Sequence, residues 1–272
     1  MTNNIMSVDL EDYFCDLPIH NWSKYKSRIV ETTTPMLELF EKYNVKATFF
    51  VVGYFAEKFP ELIKEIHDQG HEIGTHTFSH IDLRKVNKSE LINDLEKSIS
   101  TIESITGEKI LGFRAPFFSI NRKNSWVFDI LKKYFVYDSS IFPVKTPLYG
   151  LPSAPRNIYH PSGNDITKED QQEKFIEIPP LTLRLANYNL PIAGGFYFRF
   201  FPNFLIKAGI KKFNKNNYPA MFYIHPKDLD DKMPKIDSYS WHYYYGKNNI
   251  KEKFSDLLQS FNFTTAKDVL NL

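Results

Sequence analysis

Cysteine is almost missing from this chain: Cys15 is the only one in 272 residues. A single thiol excludes an internal disulfide and any zinc centre built on thiolates. Charge of one sign is lacking too, because acids and bases balance to a net +2. Without a basic field, nucleic acid is not an expected partner. No stretch approaches the roughly 20 apolar residues that a spanning helix needs, so no transmembrane segment is expected. Met1-Thr2-Asn3-Asn4 leads into an apolar strand with no basic segment, long apolar core or cleavage site, which reads as a cytoplasmic chain. What is plentiful is aromatic side chain, with 24 Phe and 16 Tyr. Such residues thicken a core and also line sugar-binding clefts.

The length suits one α/β domain over residues 1–272. Residues 5–10 form a short apolar strand. Residues 32–43 carry helical periodicity, with Pro35 near the start. The continuous apolar run 47–52 reads as a strand covered on both faces. Alternation then continues with a helix over 54–69, a strand over 72–75, a helix over 88–106 stopped by Gly107, a strand over 109–113 and a helix over 124–134. Polar residues cluster at the carboxyl ends of these strands, the pattern of a parallel barrel or a doubly wound sheet. Between 143 and 202 prolines interrupt the pattern and only 175–178 reads as strand. This stretch is expected to be a long ordered insertion over the barrel mouth. A helix over 202–213, a strand over 220–224 and a helix over 249–261 complete the chain.

Candidate chemistry sits at the strand ends. His76 and His80 follow the strand 72–75; one helical turn there would put both imidazoles on one face, at metal-ligand spacing. The neighbouring His71-Glu72 is not a zincin motif, because the position four beyond His71 is Thr75. Asp9, Glu11 and Asp12 end the first strand, and three such carboxylates repel one another unless a cation lies among them. Arg114 and His225 end two further strands. In a barrel those ends converge on one face, where residues distant in sequence meet.

These residues resemble the motifs of the polysaccharide deacetylases, the NodB homology domain or carbohydrate esterase family four, and the resemblance covers nearly the whole chain. His76-Thr77-Phe78-Ser79-His80 is similar to the family's metal motif, Arg114-Ala115-Pro116-Phe117 to its arginine motif, and Tyr223-Ile224-His225-Pro226 to the motif of its catalytic histidine. The opening Ser7-Val8-Asp9-Leu10-Glu11-Asp12-Tyr13-Phe14, with Gly194-Gly195-Phe196-Tyr197-Phe198-Arg199 and Trp241-His242-Tyr243-Tyr244, resembles the subgroup associated with bacterial exopolysaccharide gene clusters. The resemblance implies a distorted (β/α) barrel of about seven strands. It assigns the base to Asp9 and the carboxylate metal ligand to Glu11 or Asp12. The family aspartate that orients the catalytic histidine has its nearest counterpart in Asp138, at an offset position.

The chemistry implied is amide hydrolysis. His76, His80 and one carboxylate would hold a divalent metal ion, zinc first by donor type, with cobalt or nickel also fitting. Asp9 would take a proton from water, Arg114 would hold Asp9 ionised, the Phe117 N–H would meet the oxyanion, and His225 would protonate the departing amine. Gly194, Gly195, Tyr197 and Trp241 are expected to line the sugar subsite. The expected activity is de-N-acetylation of an amino sugar in a bacterial polysaccharide or glycan precursor. The rival readings are an O-acetyl esterase, a metal-free amidohydrolase like purine-catabolic relatives on this fold, and a non-catalytic sugar-binding module.

Overall fold

The computed structural model describes residues 2–272. The described residues form ten strands: β1 (Asn4–Leu10), β2 (Thr48–Val51), β3 (Glu72–Thr75), β4 (Gly112–Phe113), β5 (Tyr137–Asp138), β6 (Ile176–Glu177), β7 (Thr182–Leu185), β8 (Tyr188–Pro191), β9 (Met221–Ile224) and β10 (Phe263–Thr264). Hydrogen bonding follows the order β10-β1-β2-β3-β4-β5-β6, with β9 also on β1. The pairs β1–β9, β1–β10, β3–β4, β4–β5 and β5–β6 are parallel. Helices alternate with these strands, so the α/β class and the parallel strand set expected from the sequence are present. The chain divides into two compact units, and β2 runs from one into the other.

The first unit comprises the residues up to Phe49, Gly70–Glu72 and Ile192–Leu272. Every residue of β1 is buried, consistent with a strand flanked on both edges by β9 and β10. The helix Ile29–Lys42 buries Ile29, Thr32, Thr33, Met36, Leu37 and Phe40. Their spacing of three and four draws one continuous stripe, worth about 1.5–3 kcal/mol for each large apolar side chain. That stripe is why the helix begins at Ile29, before the expected start, and accommodates Pro35 in its interior.

The same unit contains His71, which is structural. Its Nδ1 accepts the Ala47 N–H at 3.1 Å, and its ring packs on Phe40 and Phe49. Burial, helped by the charge of Lys46, lowers its pKa to about 4. The folded-state value thus lies below the ordinary one of 6.5, so between those values the unfolded chain binds the extra proton. The His71 contribution is complete above pH 6.5 and is lost as pH falls towards 4, by an amount on the order of 3 kcal/mol. Urea midpoints at pH 7 and pH 5 are expected to differ more in the wild type than in His71→Gln. An equal difference in both proteins would show that His71 carries none of the slope.

The second unit comprises Phe50–Gln69 and Ile73–Pro191. The single helix expected over 54–69 is two, Gly53–Lys58 and Pro60–Asp68, because Pro60 cannot continue a helix and instead starts the next one at its first position. Lys88–Thr106 matches its expected span. A capping box between Asn87 and Glu90 opens it, and Gly107 in the left-handed region (φ 70°) closes it. The helix expected over 124–134 begins later, at Val127, after a 3-10 turn at Arg122–Asn124. Within the proline-rich stretch, β6 falls inside the expected strand, while the antiparallel hairpin β7–β8 was not anticipated. Its two-residue turn places Ala186 at φ 48°, without the glycine that would have announced it. Among the described residues no helix is long and apolar enough to cross a membrane.

Candidate active site

In the second unit, strand register assembles one set of groups. Thr75 pairs with Phe113, Phe113 with Asp138, and Asp138 with Glu177. One residue further along, His76, Arg114 and Ser139 therefore lie side by side. The His76 Nδ1 is 2.7 Å from the Arg114 carbonyl. A carbonyl only accepts, so Nδ1 carries the hydrogen and the lone pair lies on Nε2, the tautomer a metal ligand needs. The Arg114 guanidinium donates to the Ser139 carbonyl at 3.0 Å and to its Oγ at 2.8 Å, and lies over the Phe50 ring.

The helical turn expected at 76–80 is absent. A bent loop brings the imidazole rings of His76 and His80 to 5.1 Å between centroids. Thr77 and His80 have φ of 64° and 52°, a region costing roughly 1–3 kcal/mol per non-glycine residue. Neighbours enforce the bend. Asp94 accepts the backbone N–H groups of Phe78 and Ser79 and the Ser79 hydroxyl, while the Thr77 and Phe78 carbonyls accept the N–H groups of Gly53 and Tyr54. Asp94 thus shapes the metal-type loop, a role no local pattern in its helix announces. Phe117 sits beside it, with its ring 4.7 Å from that of His80 and φ 59°. The turn's own bonds, Phe118 N–H to Ala115 O and Ser119 N–H to Pro116 O, do not use the Phe117 N–H.

Behind Arg114 lies a carboxyl pair. Asp138 accepts the Ser140 hydroxyl at 2.5 Å, and Glu177 accepts the Ile141 N–H at 2.9 Å. Burial raises the Asp138 pKa to about 6 and, together with the Asp138 charge, raises that of Glu177 well above the carboxylate range. Two adjacent carboxyls out of water cannot both ionise cheaply.

In the first unit, the β1–β9 register pairs Val8 with Ile224 and so sets Asp9 next to His225. The His225 Nε2 is 3.7 Å from an Asp9 oxygen and 3.2 Å from Glu11 Oε1, and Lys227 Nζ is 2.9 Å from that same Glu11 oxygen. On the other side of the ring, Nδ1 is 2.7 Å from Asp228 Oδ2. Burial opposes protonation of His225, but Asp228 and Glu11 outweigh it and hold the pKa above the ordinary histidine value. The acid on the His225 Nδ1 is thus Asp228, three residues on.

Asp12, the alternative to Glu11, is committed to its own loop. Its oxygens accept the Tyr13 N–H at 2.8 Å, the Ser27 hydroxyl at 2.5 Å and the Arg28 N–H at 2.9 Å.

The two glycines expected to admit substrate have close neighbours instead. A Cβ on Gly194 would lie 2.0 Å from the Tyr223 ring, and one on Gly195 would lie 3.2 Å from His225 Cε1. They let the helix Gly195–Phe200 press against Tyr223 of β9 and the His225 that follows it. Tyr197 is half-buried on that helix. Trp241 is 63% exposed and meets the Phe196 and Tyr245 rings edge-on.

Residues 21–134 match the family model described as Polysaccharide deacetylase, and residues 139–271 match a domain of unknown function, DUF3473. Among curated proteins, a Peptidoglycan-N-acetylglucosamine deacetylase of Bacillus cereus is 41% identical over 88 residues, covering 32% of this chain and 32% of that protein. The chain spans less than half the length of the curated relatives it matches. Among solved structures, a putative polysaccharide deacetylase from Mycobacterium smegmatis shares the fold, with TM-score 0.60 and 15% identity over 97% of this chain and 87% of that one. A structure titled Puue Allantoinase reaches the same TM-score at 13% identity, over 99% of this chain and 88% of that one. The shared fold therefore does not by itself select an activity.

Proposed function

We propose that this chain is a metal-dependent hydrolase that removes the N-acetyl group from an amino sugar of a bacterial polysaccharide or glycan precursor. The observation that carries the reading is the His76–His80 pair, buried at a strand end, with the His76 tautomer fixed for ligation by the Arg114 carbonyl. A loop held in costly backbone geometry to present two imidazoles suits a metal centre better than a surface histidine pair. The peptidoglycan deacetylases among the curated relatives support the same reaction class.

Glu11, His76 and His80 are the donor set assigned to the ion. Two imidazoles and one carboxylate favour zinc, with cobalt or nickel able to substitute. When bound, the ion would polarise the acetyl carbonyl and acidify the attacking water. The chain's own groups do the rest. Asp9 is the base assigned to accept the proton of that water, with Arg114 as its assigned charge partner. The Phe117 N–H donates to the oxygen that becomes negative. With Nδ1 bonded to Asp228, His225 presents Nε2–H and delivers the proton to the departing amine. Lys227 places its positive charge beside Glu11, with Nζ 2.9 Å from Oε1. The opening motif and the aromatic motifs favour the exopolysaccharide-cluster subgroup.

Acetate release from N-acetylglucosamine oligomers, peptidoglycan fragments and O-acetylated glycans, measured after chelation and after metal is added back, tests the reading. Release from N-acetyl substrates alone, restored by metal, is expected. Release only from O-acetylated glycans would assign an esterase, and no release with no bound metal would assign a binding module.

Trp241, with Tyr197, is assigned to the sugar subsite. Because its ring is largely exposed, Trp241→Ala removes little buried area and should leave the melting temperature within a few degrees of wild type. It should raise KM for a sugar oligomer about tenfold with kcat little changed, the sign of lost uniform binding. A variant that melts much earlier yet keeps its KM would make Trp241 a packing residue.

A further inference from the structure

We propose that Glu177 is a protonated acid whose hydrogen lies between its Oε2 and Asp138 Oδ2, and that this acid pair is the positioning element of the Arg114–Phe117 turn. The pair belongs wholly to the second unit, where the β5–β6 register sets Asp138 beside Glu177. Both residues are fully buried, and their carboxyls are within hydrogen-bonding reach of each other. Each carboxyl has one oxygen with a donor. Asp138 Oδ1 accepts the Ser140 hydroxyl at 2.5 Å, and Glu177 Oε1 accepts the Ile141 N–H at 2.9 Å. The other two oxygens, Asp138 Oδ2 and Glu177 Oε2, are buried and have no donor among the described residues. Tyr159, which pairs with Glu177 through the backbone, spends its hydroxyl on the Ile166 carbonyl at 2.6 Å. Two buried acceptors facing a common gap repel as anions, and one proton between them satisfies both.

The hydrogen-bond directions assign that proton. Ser140 Oγ accepts the Ala115 N–H at 2.7 Å, so its own hydrogen goes to Asp138, a bond that favours the Asp138 anion. Glu177 is then the acid and donates to Asp138 Oδ2. Burial and the Asp138 charge push the Glu177 pKa well above the carboxylate range, the direction a held proton requires. Ser139 and Ser140 carry the effect to the turn. The Ser139 hydroxyl donates to the Ile178 carbonyl at 2.7 Å and thus offers its lone pair to Arg114 Nη2 at 2.8 Å. The Arg114 side chain and the Ala115 backbone are both held from the end of β5, two residues before the Phe117 N–H assigned to the oxyanion. An ionised Glu177 would repel Asp138 and draw it off Ser140, loosening that hold.

Infrared difference spectra at neutral pH test the proton without turnover. The wild type should show the C=O stretch of a protonated carboxylic acid, and Glu177→Gln should lose it. No such band in the wild type, or a band that survives Glu177→Gln, would overturn the proposal. The positioning role rests on the hydrolase reading above and is tested with an N-acetylglucosamine oligomer and metal present. In Glu177→Gln the amide N–H takes the place of the acid hydrogen while the amide oxygen still accepts from Ile141, so kcat should stay within about threefold of wild type. Glu177→Leu supplies no donor, and kcat should fall about tenfold or more while KM and metal content stay near wild type. Where Glu177→Leu does not fold, Ser140→Ala cuts the link from the pair to Ala115 and should show the same loss. Unchanged kcat in the folded variant, or a loss in Glu177→Gln as large as that in Glu177→Leu, would overturn the positioning role. A wild-type protein that releases no acetate would sink the hydrolase reading, and the infrared band would still decide whether Glu177 holds the proton.

Discussion

Replacing His76 or His80 with alanine is expected to empty the metal site and reduce acetate release to background, while the circular dichroism spectrum stays that of the folded chain. Each substitution removes one of three protein ligands. Loss even of a residue that only supports a ligand costs roughly 10–100-fold in metal affinity, so loss of the ligand itself should exceed that. The fold should survive because the backbone hydrogen bonds of the strands and of the loop do not depend on either ring. The His76–His80 bend is held by Asp94 and by the Gly53 and Tyr54 N–H groups, all of which remain. His76→Ala should also lose stability. His76→Ala leaves the Arg114 carbonyl without its ring partner in a buried place, a penalty of about 1–3 kcal/mol. His80→Ala removes the ring contacts with His76 and Phe117. Stoichiometric metal retained by both purified variants, by elemental analysis, would remove these histidines from the site.

How much of this could be read from the sequence depended on whether the signal was local. Apolar periodicity located β1, β2 and most helices, because burial of one face decides both pattern and structure, as in Ile29–Lys42. The strand ends carrying Asp9, His76, Arg114 and His225 were legible for the same reason. The means of pairing His76 with His80 was not. Spacing of four suggested a helical turn, whereas Asp94, in a helix sixteen residues away, imposes a left-handed bend that no residue at 77–80 advertises. The β7–β8 hairpin escaped because its turn uses Ala186 in place of glycine and because Pro191 ends its second strand. Asp228 did have a local signal. A histidine, a proline and an acid three residues beyond the histidine form a one-turn analogue of the capping box, with the acid reaching back to the N–H that precedes the turn. The resemblance offered only Asp138, at an offset position, and left open what orients His225. Asp138 belongs instead to a buried pair with Glu177, set by the β5–β6 register, a contact invisible without the pairing.

Three carboxylates within four residues divide the remaining labour, and single substitutions separate them. Asp9→Asn is expected to keep its metal and lose about two decades of rate or more, because the amide keeps the shape of the side chain but cannot accept a proton from water. Glu11→Gln is expected to lose the metal. It should also lose stability, since Lys227 stands 2.9 Å from the Glu11 oxygen in a buried setting. Removing one partner of such a pair costs about 3–5 kcal/mol, so metal content must be read on the folded fraction. Asp12→Asn should behave oppositely in kind. Its oxygens take the Tyr13 and Arg28 N–H groups and the Ser27 hydroxyl. An amide offers one acceptor where the carboxylate offers two, so the loop should loosen and the melting temperature fall while metal content stays whole. The three outcomes are independent. Metal lost from Asp9→Asn and kept by Glu11→Gln would exchange the base and the ligand. Metal lost from Asp12→Asn in a protein of unchanged melting temperature would return Asp12 to the site, and its three loop hydrogen bonds would then have to yield to the ion.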